Sequence, residues 1–593
     1  MSRPVGGYAL IGDCRSAALV SEEGSVDWLC WPRFDSPSVF GRLLDEAGGH
    51  WSVAPVGAFE RRRRYDGETP VLVTELSSGN TRLTLTDFMS VASEREKRSL
   101  SLPEHEIVRI LRCEAGEAEI ESVFAPRPMY GRAFPVKKRG PVICCEYPQG
   151  LITLVSDIPF SVSDTGARAK IRVKAGGTFT CSLAFNAQSP AVIPPVGPAS
   201  QASFSRSLSW WKGWAARTDY DGPYRREVMR SAVTLKLMGY APSGTFVAAP
   251  TTSLPEREGG DLNWDYRYCW LRDSSLTIRA LISLGYLDES RAYVSWLLHS
   301  TRLTLPRLNV LYDVYGRRPG EERTLPFSGY AGSRPVRTGN AAMGQLQLDV
   351  YGEVVDAAYA ILKDEKRLDR ETRELLILFA RFVCGHWRDS ESGIWEMRGE
   401  GKRYTYSLAL CWTCLDRLLS LHAKGTLPGL PAGEAGRVKE EIRREIDGMC
   451  WNSRLGSFTA SPGGTDVDAS LLLLPYYGFI EASAPRMRST YETVARMLSA
   501  GPGLFYRNRS FSEGAFGVCS CWAADFLARG GGSISEAKEL FGRFLGYAND
   551  VGLFGEEVDP GTGRVLGNFP LAFTHLGVIN AAMTIYHREQ ARS

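Results

Sequence analysis

Along the first third of the chain apolar and polar residues alternate in short runs, and beyond it the apolar residues recur with a helical period. Val71–Leu76, Leu83–Thr86, Ile107–Leu111 and Ile171–Lys174 read as strands separated by Gly, Asn, Asp and Pro turns, the signature of an antiparallel β-sandwich over residues 1–200. A proline-rich stretch from Pro190 to Pro198 breaks the pattern, and Ser203–Ala216 reads as a helix within a linker at 201–223. From Tyr224 onward the spacing predicts twelve helices, at 224–239, 272–285, 287–301, 349–362, 368–387, 404–421, 432–448, 466–474, 486–498, 517–529, 533–548 and 570–587. Pro475 is expected to end the eighth and Pro570 to sit at the first position of the twelfth.

The connections carry more information than the helices. Every link from an odd helix to the next even one is long (240–271, 302–348, 388–403, 449–465, 499–516, 549–569), whereas the alternate links are shorter. Alternate links of an up-down array emerge at one end. Six hairpins closing on themselves therefore predict an (α/α)6 barrel over 224–593, with all the long loops at one mouth, where function is expected.

The first of those loops ends in Asn263-Trp264-Asp265-Tyr266-Arg267-Tyr268-Cys269-Trp270-Leu271-Arg272-Asp273. Aromatics interleaved with acids and guanidinia suit a pocket that stacks rings on a sugar face and grips its hydroxyls. Two further loops carry isolated glutamates, in Gly393-Ile394-Trp395-Glu396-Met397-Arg398 and in Leu553-Phe554-Gly555-Glu556-Glu557-Val558. Glycoside hydrolysis needs such a pair, one protonated and one ionised. The apolar neighbours of Glu396 favour the acid role, and the Gly-rich turn around Glu556 favours an ionised base; Glu400 and Glu557 compete for the same roles. Trp270 and Tyr266 also read as core aromatics, Arg272 with Asp273 as an ion pair at a helix start, and Asn340 as a cap.

Composition narrows the classes. With 593 residues, 44% apolar and 23% charged, the chain is ordinary for a globular protein with a substantial core. A net charge of +3 gives no hint of nucleic acid, and Arg61–Arg64 reads as a solvated strand edge. Met1 to Val20 has no secretory pattern and no apolar run is long enough to span a bilayer, so no membrane partner is expected. Thirteen scattered cysteines suggest a reduced, cytoplasmic setting, and Cys411-Trp412-Thr413-Cys414 falls inside a helix, where buried thiols are expected. The seven histidines lack metal-ligand spacing, and neither a nucleophile elbow nor a phosphate loop is present.

Over nearly its whole length the chain resembles glycoside hydrolase family 15, the glucoamylase and bacterial trehalase-like family. The resemblance rests on Ile11–Cys14, Asp27–Phe40, Ala248–Glu256, Asn263–Asp273, Gly339–Ala342, Gln347–Glu353 and Gly567–Pro570. It implies the same sandwich and barrel, and inversion at the anomeric carbon with Glu396 as acid and Glu556 as base. It further implies that Arg272 and Asp273 hold a terminal glucose, that Tyr266 and Trp270 line its subsite, and that Trp395 and Arg398 flank the acid. Tyr406 and Leu408 stand where many relatives carry His and Lys, so linkage preference is open if they touch the second sugar.

The leading expectation is an inverting, exo-acting α-glucoside hydrolase releasing glucose from an α-glucan, oligosaccharide or disaccharide. Hydrolysis of α,α-trehalose is the alternative, and a non-catalytic carbohydrate-binding protein the third. Two carboxylates and water suffice, so neither a metal nor an organic cofactor is expected.

Overall fold

The computed structural model describes residues 3–187, 191–510 and 513–591; Met1 and Pro190, both named above, lie outside them. Two eight-stranded antiparallel sheets form the N-terminal domain. In the first, the order runs Tyr8–Gly12, Ala17–Ser21, Ser25–Cys30, His50–Pro55, Glu117–Ala125, Gly166–Lys174, Ser161–Ser163, and Ser38–Phe40 pairs with Ser25–Cys30. In the second it runs Val136–Arg139, Val142–Tyr147, Gly150–Ser156, Thr178–Asn186, His105–Ala115, Thr81–Met89, Leu72–Ser78, Glu60–Tyr65. Three of the four predicted strands fall within these elements, and the fourth, Val71–Leu76, begins one residue later than read, at Leu72. Between the sheets, buried Arg109 pairs with Asp87 at 2.8 Å and donates to the carbonyls of Trp51 and Gly24, so the charge is fully hydrogen-bonded.

Arg61–Arg64 lie, as read, on an edge strand. Arg63 departs from the solvated reading. It is buried, and its guanidinium meets Asp550 of the last long loop at 2.5 Å, one of several ties between the domains. The linking helix is longer than predicted, Pro198–Ala215, with proline in its first turn.

Twelve helical elements follow. Arg225–Met238, Leu287–Ser300, Arg370–His386, Ala432–Met449, Pro485–Leu498 and Ile534–Leu545 alternate in sequence with Leu271–Ser283, Asp349–Leu362, Thr405–Ala423, Ala469–Leu473, Gly517–Phe526 and Ala572–Gln590. Each member of the second set packs on the next, and Ala572–Gln590 returns to Leu271–Ser283, so these six close an inner ring. The first set forms the outer ring of an (α/α)6 barrel.

Two helix ends depart from the sequence reading. The eighth element is a 3-10 segment of five residues. Asp468 caps it while accepting from Trp395 and Asn508, which fixes its start, and Pro475 prevents extension. Pro570 precedes the N-cap Leu571 instead of occupying the first helical position. Gly530–Gly532 leads, as read, into a cap: Ser533 and Glu536 form a reciprocal capping box. Cys411 and Cys414 are buried in Thr405–Ala423, and all thirteen cysteines are free. No helix among the described residues is long and apolar enough to cross a membrane.

Candidate active site

The long loops meet at one end of the barrel around a cavity of about 390 Å³. Its wall draws Glu256, Trp264, Tyr266 and Trp270 from the first loop, Arg337, Asn340 and Gln345 from the second, and Trp395, Glu396 and Arg398 from the third. Arg507 and Phe516 come from the fifth, and Arg272, Asp273 and Phe573 from the starts of inner helices. All six residues expected to contact sugar lie on this wall.

The N-terminal domain holds the first loop in place. Arg267 is fully buried and pairs with Asp265 at 2.7 Å. It also donates to the Ser36 carbonyl and the Tyr130 hydroxyl, at 2.9 and 3.0 Å. Trp28 donates to the Pro250 carbonyl at 2.7 Å. Asp265 in turn accepts from the Gly339 N–H at 3.1 Å, which links this frame to the loop carrying Arg337 and Asn340.

Glu396 sits in a tight turn at φ +57, a left-handed backbone that is strained for a non-glycine residue. Its N–H donates to the Gly393 carbonyl, and its carbonyl accepts from the Gln345 amide, both at 3.0 Å. Gly393 is itself at φ +70, and a Cβ there would press on the Tyr404 ring at 2.9 Å. The turn delivers a carboxylate whose side chain is 19% exposed, at the cavity. Its Oε1 accepts from Trp270 Nε1 at 2.5 Å and from Arg272 at 3.4 Å. Burial raises the Glu396 pKa, opposed first by the Arg272 charge. Arg272 grips Asp273 at 3.0 Å, donates to the Ile394 carbonyl at 2.7 Å and lies 5.4 Å from the Phe573 ring centre. The helix-start ion pair and the cavity position therefore hold together.

Trp395 is fixed by its 2.7 Å bond to Asp468, and Tyr266 meets Trp270 edge-on at 5.3 Å. Arg398, half exposed at the rim, bonds Glu322 at 2.9 Å and stands 4.1 Å from the Trp264 ring centre. Arg337 shares both partners, at 3.2 Å from Glu322 and 4.4 Å from the ring. Asn340 caps the short 3-10 turn Ala341–Gly344 through the Ala342 N–H, ahead of the fourth helix that it was expected to cap, and also lines the cavity.

Glu556 differs from its sequence reading. In place of an open polar turn, it is fully buried next to Tyr266 and Glu256, which do reach the cavity wall. The turn at 567–568 covers it: the Asn568 N–H donates to Oε2 at 2.9 Å, and any Cβ on Gly567 (φ +71) would collide with the same carboxylate. Its Oε1 has no hydrogen-bond partner among the described residues. Burial pushes the Glu556 carboxyl up to about 7, against the Asn568 N–H, the Tyr266 hydroxyl and the Arg507 charge. Burial and the negative charges of Glu556, Glu256 and Glu396 together push the Tyr266 phenol well above its ordinary pKa.

The competitors fall away from the cavity. Glu400 is exposed and Glu557 is buried, with Oε2 accepting the Gly514 N–H at 2.8 Å; neither is on the wall, and Glu556 is not on it either, standing behind Tyr266 and Glu256. Tyr406 and Leu408 are likewise buried off the wall; Tyr406 bonds Glu353 in the barrel core, so neither side chain is placed to read a second sugar.

Glycosyl hydrolases family 15 is the family whose model matches residues 222–583, and a trehalase-like N-terminal domain matches residues 1–183. The chain belongs to family 15. It is a glycoside hydrolase. It is 33% identical to a protein named "Trehalase" of Mycolicibacterium smegmatis, across 99% of this chain and 92% of the relative. It is also 33% identical to "Trehalase 1" of Sulfolobus acidocaldarius, across 98% of each. A solved bacterial glucoamylase complexed with acarbose shares the fold, with a TM-score of 0.74 and 13% identity over 99% of this chain and 94% of that one.

Proposed function

We propose that this chain hydrolyses α,α-trehalose with inversion, Glu396 acting as general acid and Glu556 as general base. Full-length likeness to relatives named trehalase carries the substrate assignment, and it displaces the α-glucan exo-hydrolase that the sequence put first. The cavity supports it: about 390 Å³ lies near the small end of ligand pockets, suited to a disaccharide. Free thiols at all thirteen cysteines suit a reducing compartment such as the cytoplasm.

In this reading Glu396, whose pKa burial raises, gives its proton to the glycosidic oxygen. Glu556 takes a proton from water at Oε1, the oxygen without a partner among the described residues, while the Asn568 N–H holds Oε2. Tyr266, beside Glu556, orients the water. Arg272 and Asp273 grip hydroxyls of the sugar whose bond is cut, and Trp395, fixed by Asp468, bounds the pocket.

Trehalose, maltose and isomaltose assayed side by side test the substrate. The highest kcat/KM is expected on trehalose; a higher value on maltose or isomaltose would return the glucan reading. Early NMR spectra of the trehalose reaction test the stereochemistry. Inversion releases equal amounts of α- and β-glucose, and α-glucose alone would refute it.

Trp270→Phe tests the acid. The indole N–H bond favours ionised Glu396, so its loss raises that pKa further. The protonated form then persists to higher pH, and the alkaline limb of kcat/KM is expected to move upward. A limb that stays in place or moves down would separate Glu396 from the acid role.

A further inference from the structure

Beside Glu556, three glutamates with buried carboxylates crowd one guanidinium. Arg507 meets Glu513 at 2.5 Å and Glu256 at 2.8 Å. One carboxylate oxygen each from Glu256, Glu513 and Glu557 lie within 4.8 Å of one another, and Glu556 adjoins them. Adjacent residues of an extended segment point to opposite faces, so Glu557 is turned into this cluster while Glu556 lies beside Tyr266. Pairing of Glu557–Val558 with Ala515–Phe516 and with Val565–Leu566 fixes that register.

Hydrogen bonding leaves the cluster incomplete. Glu256 and Glu557 are 1% and 0% exposed, yet Glu256 Oε1 and Glu557 Oε1 have no partner among the described residues. Buried polar atoms left in that condition are few in native proteins and call for an explanation. Buried carboxylates in excess of their cations are costly unless they take up protons or further positive charge reaches them.

There is also a way in. A second cavity of about 280 Å³ is lined by Glu256, Glu513, Gly514, Asp559 and Arg564, among others. Glu256 therefore stands on the walls of both cavities.

We infer that Glu256, Glu513 and Glu557 form a site for a hard divalent cation, reached through the second cavity and backing onto the sugar pocket at Glu256. The donor set is all carboxylate oxygen, which selects Mg²⁺, Mn²⁺ or Ca²⁺ over the thiolate- and imidazole-seeking metals. The cation occupies the side of the cluster that Arg507 leaves uncovered and supplies partners for the two orphan oxygens. Its role is to hold the fifth and sixth long loops together around Glu556, and no bond of the substrate passes through it.

The test uses the full-length protein stripped with a chelator and titrated separately with Mg²⁺, Mn²⁺ and Ca²⁺ by calorimetry, with thermal melting alongside. One saturable site per chain and a melting temperature that rises with cation are expected for at least one of the three. Glu513→Gln and Glu557→Gln, each checked for folding by circular dichroism, are expected to weaken that binding at least tenfold, whereas the surface variant Glu441→Gln leaves it unchanged. Absence of saturable binding of all three cations at millimolar concentration would overturn the inference. So would unaltered affinity in whichever of the two variants folds. Binding is read without turnover, so neither result bears on whether the substrate is trehalose.

Discussion

Glu396→Gln is expected to lower kcat/KM on trehalose about 10³-fold, roughly 4 kcal/mol of transition-state stabilisation, yet to leave hydrolysis of α-glucosyl fluoride within about tenfold of the parent enzyme. The difference follows from the leaving group. A sugar alkoxide must be protonated as it departs, and the Gln amide cannot do this; fluoride leaves without a proton. The Gln side chain still fits the turn at φ +57 and still offers an oxygen to Trp270 Nε1 and Arg272. Glu556→Gln is expected to lose both substrates by a similar factor, because each needs an activated water. Steady-state kinetics on the two substrates check the assignment. If Glu396→Gln lost the fluoride as well, or Glu556→Gln kept it, the roles given to the two glutamates would be wrong.

Much of this arrangement was legible before any coordinates. Helix periodicity and alternating loop lengths located the barrel and its mouth, because both signals are local. The cluster Asn263–Asp273 and the loops carrying Glu396 and Glu556 could be picked out because aromatics and charges in one short segment suit neither core nor solvent. What escaped depends on chain segments that meet only in the fold. Arg507 has no distinguishing neighbours, yet it binds Glu256, some 250 residues earlier. The three glutamates of the proposed cation site come from three separate loops, so no spacing in the sequence points to them. Arg267 looked like a sugar-gripping cation but turns toward the N-terminal domain, whose Ser36 and Tyr130 complete its bonding. Glu556 was misread for a similar reason. Its neighbours are Gly555 and Glu557, but burial comes from the turn at 567–568 and from Tyr266, neither of which is adjacent to it in sequence. Tyr406 and Leu408 drew attention by contrast with relatives, and the inward face of Thr405–Ala423 takes them into the core.

Arg272→Met is expected to cost both activity and stability, and pH distinguishes the two. Arg272 is shared between the site and the fold: one guanidinium bonds Asp273, the Ile394 carbonyl and Glu396. Removing it leaves Asp273 buried without its charge partner, a change that typically costs about 3–5 kcal/mol. Burial already raises the Asp273 pKa with Arg272 opposing it, so loss of the arginine raises it further. A carboxyl with a raised folded pKa penalises the fold at high pH and loses the penalty as pH falls through that pKa. Chemical denaturation is therefore expected to show the deficit of Arg272→Met at neutral pH and its narrowing toward the acidic side. Adding Asp273→Asn to Arg272→Met removes the unpaired charge and is expected to recover part of the stability at neutral pH. Activity is expected to stay at least 10²-fold down in kcat/KM, because neither group then grips the sugar. A double variant that regained both stability and turnover would show that Arg272 serves the fold alone. A stability deficit independent of pH would show that Asp273 is not the residue left exposed to the loss.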